Sequence, residues 1–115
     1  MTDFLRNFSR VNKARAERWH PKGLNSWSLS DWFTALAGEV GELGNVVKKL
    51  NRERDGLKGN KESMTELQIA LWKEAADVYT YLDLFCQAAG MDLQTAIAHK
   101  FNEVSIKHGF PERLE

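Results

Sequence analysis

An all-α protein is predicted by three features of the sequence: helical spacing of apolar residues, capping signals ahead of those runs, and no sustained strand-like alternation. The two prolines, Pro21 and Pro111, fall where a helix would be ending or already over. Four helices in a bundle are expected. The 115 residues suit a single domain over 1–115, which would bury roughly two-thirds of the surface its unfolded chain exposes.

The first helix is expected to start after Thr2 or Asp3, either of which can cap backbone N–H groups. Phe4, Phe8, Val11 and Arg15 then follow a three-and-four spacing toward Trp19, and Pro21 and Gly23 stop the helix. His20 to Ser28 reads as a loop. Ser28 and Asp31 resemble a capping box that opens a second helix, whose stripe is Leu36, Val40, Leu43, Val47 and Leu50. Gly38, Gly41 and Gly44 interrupt it at about 1 kcal/mol each against Ala, which suggests close approach of a backbone or ligand. Asn51 to Lys61 reads as a polar loop. Ser63 and Glu66 form a second capping box, followed by Leu67, Leu71, Glu74, Val78, Tyr81, Leu82 and Phe85, with Gly90 as the stop. Asp92 caps a fourth helix carrying Leu93, Ile97, Phe101 and Val104, closed by Gly109 and Pro111.

Acids and bases balance at 16 each, and no basic patch stands out, so nucleic acid is not an expected partner. No apolar run approaches the ~20 residues that span a bilayer. The opening Met1-Thr2-Asp3-Phe4 does not read as a secretory signal, and the lone Cys86 fits a reducing compartment. A soluble cytoplasmic protein is expected, with no membrane partner. Cys86 itself reads as a small core residue.

Two acid pairs stand apart from this pattern. Glu39 and Glu42 lie three residues apart on the second helix, and Glu74 and Asp77 repeat that spacing on the third. Residues so spaced are neighbours on a helix surface. At about 100° per residue Glu74 falls in the middle of an apolar stripe and Asp77 on its flank. Glu39 falls at the edge of its stripe and Glu42 one step further out. Carboxylates crowded on half-buried faces must be protonated, paired with Lys or Arg, or bound to a metal. Lys48, Lys49 and Lys73 are too few for all four. With oxygen donors alone and no Glu-x-x-His pair, a metal here would be Mg²⁺ or Mn²⁺ rather than zinc or a di-iron centre.

The ordered pair Glu39-Val40-Gly41-Glu42 and Glu74-Ala75-Ala76-Asp77 resembles the hallmark of the MazG-type all-α nucleotide pyrophosphohydrolases, which include dCTP pyrophosphatases and dimeric dUTPases. Gly-Glu-Val-Gly-Glu-Leu, Ala-Asp-Val-Tyr-Thr-Tyr-Leu, and Lys100-Phe101-Asn102 ahead of Gly109-Phe110-Pro111 extend the likeness over about residues 19 to 113. Many members carry a further Glu where this chain has Gly38, and the stretch between the motifs is longer here.

The resemblance implies a MazG-like bundle assembled as a homodimer or homotetramer. Its Glu39, Glu42, Glu74 and Asp77 would hold Mg²⁺ (or Mn²⁺). The implied reaction cleaves a nucleoside triphosphate to monophosphate and pyrophosphate, in the service of nucleotide pool clean-up, with Glu39 or Glu42 as the base. It further implies substrate contacts from Trp27 and Trp32 at the base, Tyr81 at the sugar or base, and Lys100 and Asn102 at the phosphates. Lys49, on the Glu42 side of its helix, can also meet a phosphate. Two other functions fit the same residues: a helical oligomeric interaction module whose acids pair with basic side chains, and a nucleotide-binding relative that does not hydrolyse.

Overall fold

The computed structural model describes residues 2–115, with side chains from Phe4 onward. These residues form four α-helices, α1 (Thr2–Trp19), α2 (Leu29–Arg54), α3 (Met64–Ala88) and α4 (Leu93–His108), and a 3-10 turn at Gly23–Ser26. No strand occurs among them, so the all-α expectation holds. Thr2 and Asp3 are already helical; the capping role expected of their side chains lies outside the described residues. None of the described helices is long and apolar enough to cross a membrane. The chain packs as two compact units: Trp27–Phe85 is one, and the chain up to Ser26 together with Cys86–Glu115 is the other.

In the Trp27–Phe85 unit both expected capping boxes form. Asp31 N–H donates to Ser28 Oγ at 3.1 Å and Ser28 N–H to Asp31 Oδ2 at 2.9 Å. Glu66 N–H donates to Ser63 Oγ at 3.1 Å and Ser63 N–H to Glu66 Oε1 at 3.0 Å. Each box satisfies two amide donors that a helix N-terminus otherwise leaves open. The loop expected from Asn51 begins later, because nothing in Asn51–Arg54 breaks the helix. α2 runs on until Gly56 (φ +69°) takes the left-handed conformation. There Gly56 N–H donates to Glu53 O and Leu57 N–H to Arg52 O, the pattern of a Schellman stop. The following loop is pinned back on α2: Asn60 Nδ2 donates to Lys49 O at 2.8 Å and to Glu53 Oε1 at 3.1 Å, and Glu62 pairs with the Lys49 ammonium.

Phe33, early in α2, meets Phe85, late in α3, edge-on at 6.0 Å between ring centroids. The two helices are therefore antiparallel neighbours. Trp32 and Leu67 are fully buried in this unit, and Leu84 nearly so. One flank of α2 stays open: Phe33, Val40 and Val47, at heptad-like spacing, are 57, 50 and 39 % exposed. On α3, Trp72 is 72 % exposed. At 100° per residue the Val40 flank lies about 160° around α2 from Glu42, so Glu42 and the open apolar residues occupy opposite sides of the helix, with Glu39 between them. A Cβ added at Gly38, Gly41 or Gly44 meets nothing within 4 Å. The close approach those glycines suggested is not made among the described residues.

The other unit contains α1, the 3-10 turn, α4 and the end of α3. Arg6 pairs with Asp92 at 3.1 Å, and Gln87 Nε2 donates to Ser9 O at 2.9 Å. The buried face of α1 centres on Asn12 and Ala16, while Val11 and Trp19 of the expected stripe stay exposed. The Arg15 guanidinium covers the Trp19 ring, 5.4 Å from its centroid. α4 is turned in the same sense: Ser105 is buried, Ala98 and Asn102 are half-buried, and Ile97, Phe101 and Val104 remain partly open. Asp92 occupies the N-cap position of α4 but accepts from the Thr95 hydroxyl at 2.9 Å, with no side-chain bond to a cap amide. Gly90 (φ +73°) and Gly109 (φ +71°) end α3 and α4 as expected, and Cys86 is buried.

Candidate metal centre

The capping boxes fix where α2 and α3 begin, and antiparallel packing then brings their acid pairs together. One carboxylate oxygen from each of Glu39, Glu74 and Asp77 lies within 4.8 Å of the other two. Glu42 is not one of that group, but it is near enough for its negative charge to act on both Glu39 and Glu74. Burial follows the helical reading: Glu39 and Glu74 are half-buried between the helices, while Glu42 and Asp77 are exposed at the edge.

The electrostatics of this cluster are unfavourable on their own. Burial pushes the Glu39 carboxyl above the ordinary carboxylate range, and the negative charges of Glu42, Asp77 and Glu74 push it the same way. Glu74 is raised by burial first, then by the charges of Glu42 and Asp77. None of the ion pairs among the described residues reaches any of the four acids. Lys49 in particular is held by Glu62. Glu39 Oε2 and Glu74 Oε2 are buried with no hydrogen-bond partner. Of the three resolutions open to crowded acids, pairing with Lys or Arg is not used among the described residues. Shared protons or a bound cation remain, and the all-oxygen donor set suits a hard divalent ion.

The residues expected to touch substrate divide. Trp27 is 37 % exposed and, with Asp31, Thr34 and Ala35, lines a cavity of about 380 Å³ on α2, one helical turn before Glu39. Trp32 is 1 % exposed, so its ring backs Trp27, at 4.6 Å between centroids and a tilt of 57°. Tyr81 is half-buried on α3. Lys100 and Asn102 belong to the other unit. There Lys100 pairs with Glu103 at 3.1 Å, and Asn102 exchanges two hydrogen bonds with the backbone of Leu114, at 2.8 and 2.7 Å.

Two residues escaped the sequence reading. Asp83 is 1 % exposed, as buried as any apolar core residue. Part of the signal was available, because Asp83 is flanked by Tyr79, Leu82 and Leu84 in the most apolar part of α3. Asp31, read only as a helix cap, also lines the Trp27 cavity. Its azimuth on α2 lies about 20° from that of Glu42, which the spacing alone contains. No protein-family model, curated protein or solved structure matches the chain.

Proposed function

We propose that this protein is a metal-dependent nucleoside triphosphate pyrophosphohydrolase with a MazG-like helical arrangement, releasing a (d)NMP and pyrophosphate. The observation that carries the reading is the meeting of Glu39, Glu74 and Asp77 within 4.8 Å, with two buried carboxylate oxygens left without a donor. Those oxygens fit a divalent ion, and Glu39, Glu42, Glu74 and Asp77 would hold Mg²⁺ or Mn²⁺. Bound there, the ion would offset charge on phosphate oxygens and lower the pKa of a water. The chain's own contribution is positional. Glu39 and Glu74 keep the anionic wall between the helices, and Glu42 or Glu39 accepts the proton of the attacking water. Trp27 offers a ring face to the base.

The open flank of Phe33, Val40 and Val47 and the exposed Trp72 support assembly as a homodimer or homotetramer. The buried Cys86, outside any disulfide, suits a reducing cytoplasm, where such an enzyme would clear unwanted nucleotides. The same apolar residues also favour a second reading, an oligomeric interaction module without catalysis. The deciding experiment incubates the protein with Mg²⁺ or Mn²⁺ and a panel of NTPs and dNTPs. Equimolar monophosphate and pyrophosphate are expected. If neither ion supports cleavage of any nucleotide, the enzyme reading falls. A thermal shift with Mg²⁺ and a non-hydrolysable analogue then separates a non-hydrolysing binder, which responds, from an interaction module, which does not.

A further inference from the structure

We infer that the cavity at the start of α2 selects nucleobases carrying an exocyclic amino group, cytosine and adenine above uracil and hypoxanthine, with Asp31 as the discriminating residue. The inference rests on the nucleotide reading above and names the part of the substrate that the acids leave open. It starts from the lining of the cavity: Trp27, Asp31, Thr34 and Ala35. The Trp27 ring, partly exposed and backed by buried Trp32, is a stacking surface held in place.

The polar atoms that α2 brings to this cavity are acceptors. Asp31 Oδ2 is committed to Ser28 N–H at 2.9 Å in the capping box. Among the described residues Oδ1 carries no hydrogen bond. Thr34 spends its only hydroxyl proton on Ser30 O at 2.9 Å, so toward a ligand its oxygen offers only lone pairs. An edge that presents an N–H₂ satisfies these atoms. A keto oxygen in that place sets acceptor against acceptor, and the single ring N–H beside it in uracil or hypoxanthine can meet only one of the two atoms.

Position agrees with chemistry. Asp31, Ala35 and Glu42 lie within about 40° of one another around α2, so cavity and acids share a flank. From the level of Ala35 to that of Glu39 the rise is about 6 Å, the scale of a sugar between base and phosphates. Gly38 sits between them with nothing within 4 Å of an added Cβ, which leaves that span open.

The test compares matched pairs, dCTP with dUTP and dATP with dITP, in the wild type and in Asp31→Asn. The asparagine keeps an oxygen for Ser28 N–H, preserving the cap, and turns its N–H₂ toward the cavity as a donor. The wild type should favour the amino member of each pair in kcat/KM by about tenfold, a hydrogen bond to a charged acceptor being at stake. Asp31→Asn should erase or reverse that preference with its circular dichroism unchanged. Equal rates in the wild type, or an unaltered ratio in the variant, overturn the inference. If no nucleotide is cleaved, tryptophan fluorescence titrations with dCMP and dUMP read the same preference without catalysis. A dCMP preference lost in Asp31→Asn then upholds the base selectivity while the hydrolase reading fails, and equal affinities sink both.

Discussion

Asn102 and Glu74 are both half-buried polar residues within a helix, yet their surroundings differ in kind. Asn102 donates to Leu114 O and accepts from Leu114 N–H, so its amide fastens the C-terminal residues to α4. Glu74 has a buried oxygen with no partner and two acidic neighbours that raise its pKa further. A polar group whose bonding is complete holds the fold together. One left incomplete among like charges works against the fold and in favour of a cation. The comparison separates a residue that fastens the fold from one whose bonding the fold leaves incomplete.

The sharpest way to break the comparison is to neutralise the incomplete cluster. Asp77→Asn or Glu42→Gln should lower kcat/KM for the best triphosphate by about two to three orders of magnitude, the scale of several kcal/mol of lost charge stabilisation. Neither variant should be less stable than the wild type without metal. Parallel loss of activity and metal-free stability would place these acids with the structural group.

Asn102→Ala is the opposite case. Losing two hydrogen bonds should destabilise its unit by about 1–2 kcal/mol in denaturant titrations. The Mg²⁺-induced thermal shift should survive. A metal response lost together with stability would show that Asn102 belongs to the site after all.

The smallest effect concerns pH. Glu39 and Glu74 are raised above the ordinary glutamate value of 4.5 in the folded chain. Between that value and the raised one, the folded protein binds more protons than the unfolded protein. Their contribution is therefore fully present below about 4.5 and is lost as pH climbs through the raised values. Metal-free protein should lose urea resistance over that window, and Glu39→Gln should flatten the slope. An unchanged slope would mean that the acids are not crowded in solution.

Much of this was legible because it is local. Two capping boxes, the glycine stops after α3 and α4, and the ordering of the acids from half-buried Glu39 and Glu74 to exposed Glu42 and Asp77 all follow from residue type and helical spacing. The faces of α1 and α4 did not, because partners decide them. Asn12 rather than Val11 faces inward, and Ser105 rather than Val104, with the apolar alternatives left partly open. The reach of α2 to Arg54 was missed for a related reason: charged residues read as loop, although only Gly56 ends the helix. Lys49 was read as facing a phosphate, and its capture by Glu62 depends on a loop fold that spacing does not encode. Trp32 was grouped with Trp27 as a pocket residue, and only packing distinguishes a ring that offers its face from one that supports it.

The two capping boxes have a consequence beyond starting their helices. From Ser28 to Glu39 and from Ser63 to Glu74 the count is the same, eleven residues, and each second acid follows three later. Glu39 and Glu74 thus stand at equal heights above their helix starts, and they are the acids that come together between α2 and α3. Each serine works as the zero of a ruler about 16 Å long. Adding one residue to either ruler would turn its acids by about 100° and lift them by about 1.5 Å, parting the two pairs while leaving both helices intact.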